Sequence, residues 1–112
     1  MKIKGTVIRG KMKGRNLGFP TANIIYADDL PSGVYTGKVY VRGNGYKAAI
    51  FYGDDKKILE AHLLDFSGDL YDQEIEIEVG KKIREVKKFD TEDELKKQIA
   101  KDIEQIKKDI SR

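Results

Sequence analysis

At 112 residues, 39% hydrophobic and 37% charged, the chain holds material for one hydrophobic core. With no cysteine and a single histidine, His62, it excludes disulfide frameworks, thiolate metal sites, thiol redox chemistry and histidine-rich metal clusters. The net charge of +3 divides into +6 over residues 1–20, from Lys2, Lys4, Arg9, Lys11, Lys13 and Arg15, and −3 over the other 92.

In chain order, residues 2–9 are rich in β-branched side chains and form a first expected strand. The next segment, Gly10-Lys11-Met12-Lys13-Gly14-Arg15-Asn16-Leu17-Gly18, carries three glycines among its basic residues. Glycines let backbone N–H groups approach a ligand and the cations add charge, so the segment reads either as a phosphate cradle or as an exposed hairpin tip with solvated lysines. The stretch Gly5 to Lys11 mimics the start of a P-loop. Met12 stands where a hydroxyl is required and no helix follows, so that match is rejected.

Pro20 biases its surroundings toward extended backbone, which points Thr21 and Asn23 the same way, roughly 7 Å apart. Both offer hard neutral oxygens suited to Mg²⁺ that leans on substrate phosphates; equally, Thr-x-Asn occurs at strand ends and turns. Segments 34–42 and 46–52 form two further strands, with Gly43-Asn44-Gly45 as the hairpin turn between them.

Residues 58–66 form a central strand whose period-two alternation places Ile58, Glu60, His62, Leu64 and Phe66 on one face. A carboxylate among apolar groups is costly; partial burial tends to make it a better proton acceptor, whereas at an edge or mouth it simply meets water or a lysine. His62 reads as a satisfied barrel histidine rather than a ligand or base. Residues 74–79 alternate strictly, with Ile75, Ile77 and Val79 facing the core and the glutamates facing water.

Thr91-Glu92-Asp93-Glu94 matches a capping box, and Leu95, Ile99, Ile103, Ile106 and Ile110 follow at spacings of four, four, three and four, which predicts a helix over about 92–110. Short strands, glycine-bearing turns and one amphipathic helix covering an opening or edge give a mainly β domain, a small closed barrel of about six strands. No linker or repeat divides it, so residues 1–112 read as a single domain, barrel about 1–88 and helix about 92–110. No run approaches the ~20 apolar residues of a membrane helix, and Met1-Lys2-Ile3-Lys4-Gly5 lacks a signal-peptide core, which points to the cytoplasm and no membrane partner. Nucleic-acid surfaces spread cations and interleave aromatics, so the localised charge favours a small phosphorylated ligand over a polyanion.

The residues also resemble a known family. Gly5-x-Val7-x-x-Gly10, Gly14-Arg15-x-Leu17-Gly18-Phe19-Pro20-Thr21-Ala22-Asn23-Ile24, Leu30-Pro31-x-Gly33-Val34-Tyr35, Glu60-Ala61-His62-Leu63-Leu64-Asp65-Phe66, Asp69-Leu70-Tyr71, Ile83-Arg84 and Lys88-Phe89-Asp90, with Leu95, Ile99 and Asp102, are similar in order to the riboflavin kinases, across nearly the whole chain. The resemblance implies a six-stranded Greek-key barrel with a C-terminal helix, and ATP- and Mg²⁺-dependent phosphorylation of the riboflavin 5′-hydroxyl to give FMN, by a monomer. It implies Glu60 as general base, Thr21 and Asn23 as the metal- and phosphate-binding pair, Gly10, Lys11, Gly14, Arg15, Gly18 and Pro20 as further nucleotide contacts, and Arg84 near the flavin. Three departures stand out: the segment 50–57 is shorter than the family's and lacks its proline; Asp72 stands where the family commonly has glycine; and no adenylyltransferase segment precedes the domain, so the activity is expected to stop at FMN. A barrel that binds flavin or nucleotide without turnover is the alternative.

Overall fold

The structure, a computed structural model, describes residues 2–8, 21–27, 29–54, 56–66, 68 and 70–110. Gly10, Lys11, Gly14, Arg15, Gly18 and Pro20, the expected extension of the first strand to Arg9, and the side chain of Ile110 lie outside the described residues. The elements are β1 (Lys2–Thr6), β2 (Thr21–Ile25), β3 (Gly33–Val41), β4 (Asn44–Tyr52), β5 (Ile58–Leu63), β6 (Glu74–Arg84) and a helix, α1 (Glu92–Ile110).

The strands pair antiparallel in the order β1-β6-β3-β4-β5-β2. Ile8 then bridges to Asn23, its N–H donating to the Asn23 carbonyl at 2.8 Å, which brings the two ends of the sheet together into a nearly closed barrel. Strands β3, β4 and β5 follow one another and β6 returns beside β3, the Greek-key arrangement.

Alternation decides which side chains fill the barrel. Ile24, Val39, Ile50, Tyr52, Leu59, Ile75 and Ile77 are buried inside, and Ile77 meets Ile3 and Val39 across its two strand pairs. The two long inward tyrosines carry their polar tips to main-chain acceptors, Tyr52 to Tyr26 and Lys56, Tyr35 to Pro31 at 2.5 Å. Burial is the first cause that pushes the Tyr35 phenol above its ordinary range, with Lys82 opposing and Glu85 adding to the rise.

Local chemistry moved several boundaries from their sequence-based places. The hairpin turn is Arg42-Gly43, one residue earlier than Gly43-Asn44-Gly45, with φ of +52° and +85°. Two successive positive φ values match the twist of the flanking strands, so Asn44 and Gly45 are left to pair in β4. Residues 21–25, expected only to be extended, form a full strand. The alternation of 58–66 stops at Leu63, because Asp65 takes φ +56° and turns the chain; Leu64 stays on the outer face, while Phe66 crosses to the interior cluster and packs edge-on against Tyr46. Strand β6 runs five residues beyond Val79, to Arg84, with two register shifts against β3. At the first shift Gly80 is required: a Cβ there would lie 2.5 Å from Thr36 Oγ1, the atom that accepts the Lys81 N–H. The shifts bring Ile83 and Arg84 to the helix side.

Helix α1 begins as the capping box dictates. Thr91 Oγ1 accepts the Glu94 N–H at 3.2 Å, and Glu94 Oε2 accepts the N–H of Asp90 at 3.3 Å, one residue before the one expected. Its acidic first turn and basic last turn suit the helix dipole. The helix does not plug an opening: Leu95, Ile99, Ile103 and Ile106 lie on the outer wall over Ala49, Phe51, Leu64 and Ile83. Ala49 and Phe51, outward on β4, are themselves apolar, and the helix covers them.

Asp72 holds φ +67°, the left-handed conformation a glycine adopts freely, and its N–H still donates to the Val7 carbonyl. Beyond β4 the Lys56 N–H donates to the Gly53 carbonyl, and Lys56 holds φ +51°.

Candidate active site

Strands β2 and β5 pair so that Thr21 lies opposite His62 and Asn23 opposite Glu60. Ala22 and Ile24 fill the barrel, so Thr21 and Asn23 face outward, as does Ile25, which is 70% exposed. Four polar side chains therefore form a square on the outer face of two neighbouring strands. On the far side of β5, Phe51 stands opposite Glu60 and Ala49 opposite His62.

Between this face, the end of β6 and the start of α1 lies a cleft of about 620 Å³. Phe51, Glu60 and His62 line one wall, Val34 and Arg84 another, and residues 86–92 with Leu95 and Ile99 the third. The carboxylate of Glu60 keeps 26% of its side chain in solvent, and its Oε1 lies 2.5 Å from Nε2 of the buried His62. The expectation of a satisfied barrel histidine is half met. His62 lies outside the barrel, and its Nδ1 is buried with no hydrogen-bond partner among the described residues.

Asn23 Oδ1 is likewise buried and without a partner among the described residues. An orphaned acceptor costs about 1–3 kcal/mol unless something compensates it. A neutral amide oxygen of this kind fits a hard divalent cation that takes oxygen ligands and keeps several waters. Thr21, its neighbour on the same face, offers a hydroxyl of the same character.

Arg84 borders the cleft, but its guanidinium is committed: Nε and Nη2 donate to Asp102 of α1 at 2.8 and 2.7 Å, and Nη1 to the Glu85 carbonyl. Asp102 also accepts from Gln98 Nε2 at 3.0 Å. Only the face of the guanidinium toward Phe51, 5.9 Å from the ring centre, is turned to an aromatic surface. The pair pins the helix to the wall, a task the sequence signalled only by one acid, Asp102, amid isoleucines of the buried stripe. Phe51 gave no signal, since residues 48–52 are apolar on both faces of β4.

An antiparallel barrel carries a helix on its outer wall, and the candidate site lies between them, one carboxylate in a cleft beside a pair of neutral oxygens. The chain belongs to the flavokinase, or riboflavin kinase, family, whose model matches residues 1–110. It is 40% identical, over 95% of its length, to a bifunctional riboflavin kinase/FMN adenylyltransferase of Buchnera aphidicola subsp. Schizaphis graminum, of which it covers 38%. Among solved structures it is similar to a riboflavin kinase from Trypanosoma brucei (TM-score 0.70, 25% identity, 99% of this chain and 77% of that one). It is also similar to a Streptococcus pneumoniae protein described as a macrolide-efflux protein (TM-score 0.81, 31% identity, 92% and 37%). The chain thus spans well under half the length of the bifunctional relative. No helix among the described residues is long and apolar enough to cross a membrane.

Proposed function

We propose that this domain transfers the γ-phosphoryl group of ATP to the 5′-hydroxyl of riboflavin, giving FMN and ADP. The observation that carries the reading is the placement of Glu60: its carboxylate borders the cleft directly across from Asn23, so a proton acceptor and an oxygen ligand for the nucleotide's cation share one cross-strand pair.

Glu60 holds one oxygen on His62 and offers the other to the ribityl 5′-hydroxyl. As that hydroxyl oxygen bonds to the γ-phosphorus, its proton passes to Glu60 and the bond from the γ-phosphorus to the β–γ bridging oxygen breaks, releasing ADP. Thr21 and Asn23 would hold Mg²⁺, which when bound with the nucleotide neutralises phosphate charge. Phe51 and Val34 give the cleft an apolar wall for a planar ring system. Gly10, Lys11, Gly14, Arg15, Gly18 and Pro20 remain proposed nucleotide contacts, and Arg84 acts by holding α1 against the flavin side of the cleft. Riboflavin and ATP are the proposed partners, with the protein a monomer in the cytoplasm.

Incubation with riboflavin and Mg²⁺-ATP should yield FMN resolvable by chromatography, and Glu60→Gln should lower kcat by about 10² or more while riboflavin affinity stays within a few-fold. Riboflavin binding with no FMN formed would favour a binding-only barrel, and wild-type turnover in Glu60→Gln would remove the base assignment.

A further inference from the structure

We infer that His62 is the positioning residue for Glu60: its Nε2–H donates to Glu60 Oε1 and fixes the carboxylate so that its second oxygen serves the cleft. The inference rests on the reading of Glu60 as the base.

The tautomer follows from where hydrogen-bond partners are present. Nε2 faces a carboxylate oxygen at 2.5 Å and Nδ1 is buried with no partner among the described residues. A proton on Nδ1 alone would bury an unpaired N–H and set a bare nitrogen against a carboxylate, two unfavourable terms at once. Of the two tautomers, the one with its proton on Nε2 sets a donor against the carboxylate and leaves nothing worse than an unpaired acceptor.

Rigidity comes from the surroundings of the ring. His62 is 1% exposed, its ring centre lies 4.6 Å from that of Phe51, and its two cross-strand neighbours are Ala49 and Thr21. Residues i and i+2 of a strand share a face, so the ring reaches the carboxylate without bending the backbone. Glu60, by contrast, is partly solvated and has three rotatable bonds, so unassisted it would sample many orientations. A buried, immobile donor anchoring a mobile carboxylate supplies the orientation a proton transfer requires.

Three measurements test this. In the free wild-type protein, ¹⁵N–¹H correlation spectra of the imidazole should report a proton on Nε2; a ring protonated on Nδ1 with Nε2 bare would overturn the inference, whatever the variants do. His62→Leu should lower kcat by about 10- to 100-fold with both KM values within about threefold, and His62→Gln, which returns an amide donor near the place of Nε2, should recover most of the loss. In the Glu60→Gln background His62→Leu should cost nothing further, because a residue acting through Glu60 has nothing left to position. A His62→Leu enzyme with normal kcat, or a loss that persists undiminished in the double variant, overturns the positioning role while leaving Glu60 as base. Normal turnover in Glu60→Gln alone removes the base reading, and the positioning role with it.

Discussion

The inside of the barrel and the layer between its outer wall and α1 are built from the same apolar residue types but differ in what they tolerate. The interior cluster is apolar, its tyrosine hydroxyls carried to main-chain carbonyls. Among the described residues the four buried polar ones, Asn23, Thr36, His62 and Asp102, all lie on the outer side of the strands or on the helix. The interior spends its burial on stability; the outer layer gives up apolar contact to hold a carboxylate, an imidazole and an ion pair beside a cavity. Barrel closure makes the frame, and the chemistry is kept out of it.

The contrast can be broken most forcefully from the interior. Ile77 is fully buried between Ile3 and Val39, so Ile77→Ala should cost about 2–5 kcal/mol through lost burial and the cavity left behind, read as a lower urea midpoint. A loss below about 1 kcal/mol would mean the interior is not the stabilising half.

An intermediate effect is expected where the layer is stitched by charge. Asp102→Ala strands the guanidinium of Arg84, whose side chain is only 18% exposed, and should cost about 2–3 kcal/mol, toward the low end for a broken buried pair because Arg84 retains some water. Replacing both partners by apolar residues, Arg84→Met with Asp102→Leu, should restore most of that stability in the same denaturation experiment. If it does not, the pair contributes more than docking.

The smallest change should come from Asn23, where a stability argument and a functional one part company. Asn23→Ala deletes an oxygen that has no partner, so the relief of its desolvation offsets the lost packing and the free protein changes by less than about 1 kcal/mol. The rise in Tm that Mg²⁺-ATP gives the wild type should nevertheless shrink or vanish. A large destabilisation without nucleotide would show Asn23 to be structural.

Strict alternation made β6 legible as far as Val79, and a capping box with an isoleucine stripe marked the helix from Glu92 onward. What could not be read were changes of phase. Asp65 and the shifts around Gly80 each redirect the chain by one residue, which reverses the face every later side chain takes, and single residues at positive φ or in bulges carry little compositional signal. Of the site, the Thr21-x-Asn23 pair and the Glu60-x-His62 pair were visible as spacings, but that they form one square depends on β2 pairing with β5, a contact between residues some forty positions apart. The commitment of Arg84 to Asp102 was hidden for the same reason.

Strand β1 pairs with β6, Lys2 against Glu78, and the two ends of the sheet meet at the Ile8–Asn23 bridge. Kinetically, this is a chain of distant partners: the β3–β4–β5 meander is local and can form early, while β1 must wait for a strand some seventy residues away. Loop-closure entropy is spent before those pairings return anything, which places folding among the slow sheet proteins, at about milliseconds to seconds. The helix has a wall to dock on only once β3, β4 and β6 are in place, so the cleft is among the last features to form, and a half-folded chain has a meander but no site.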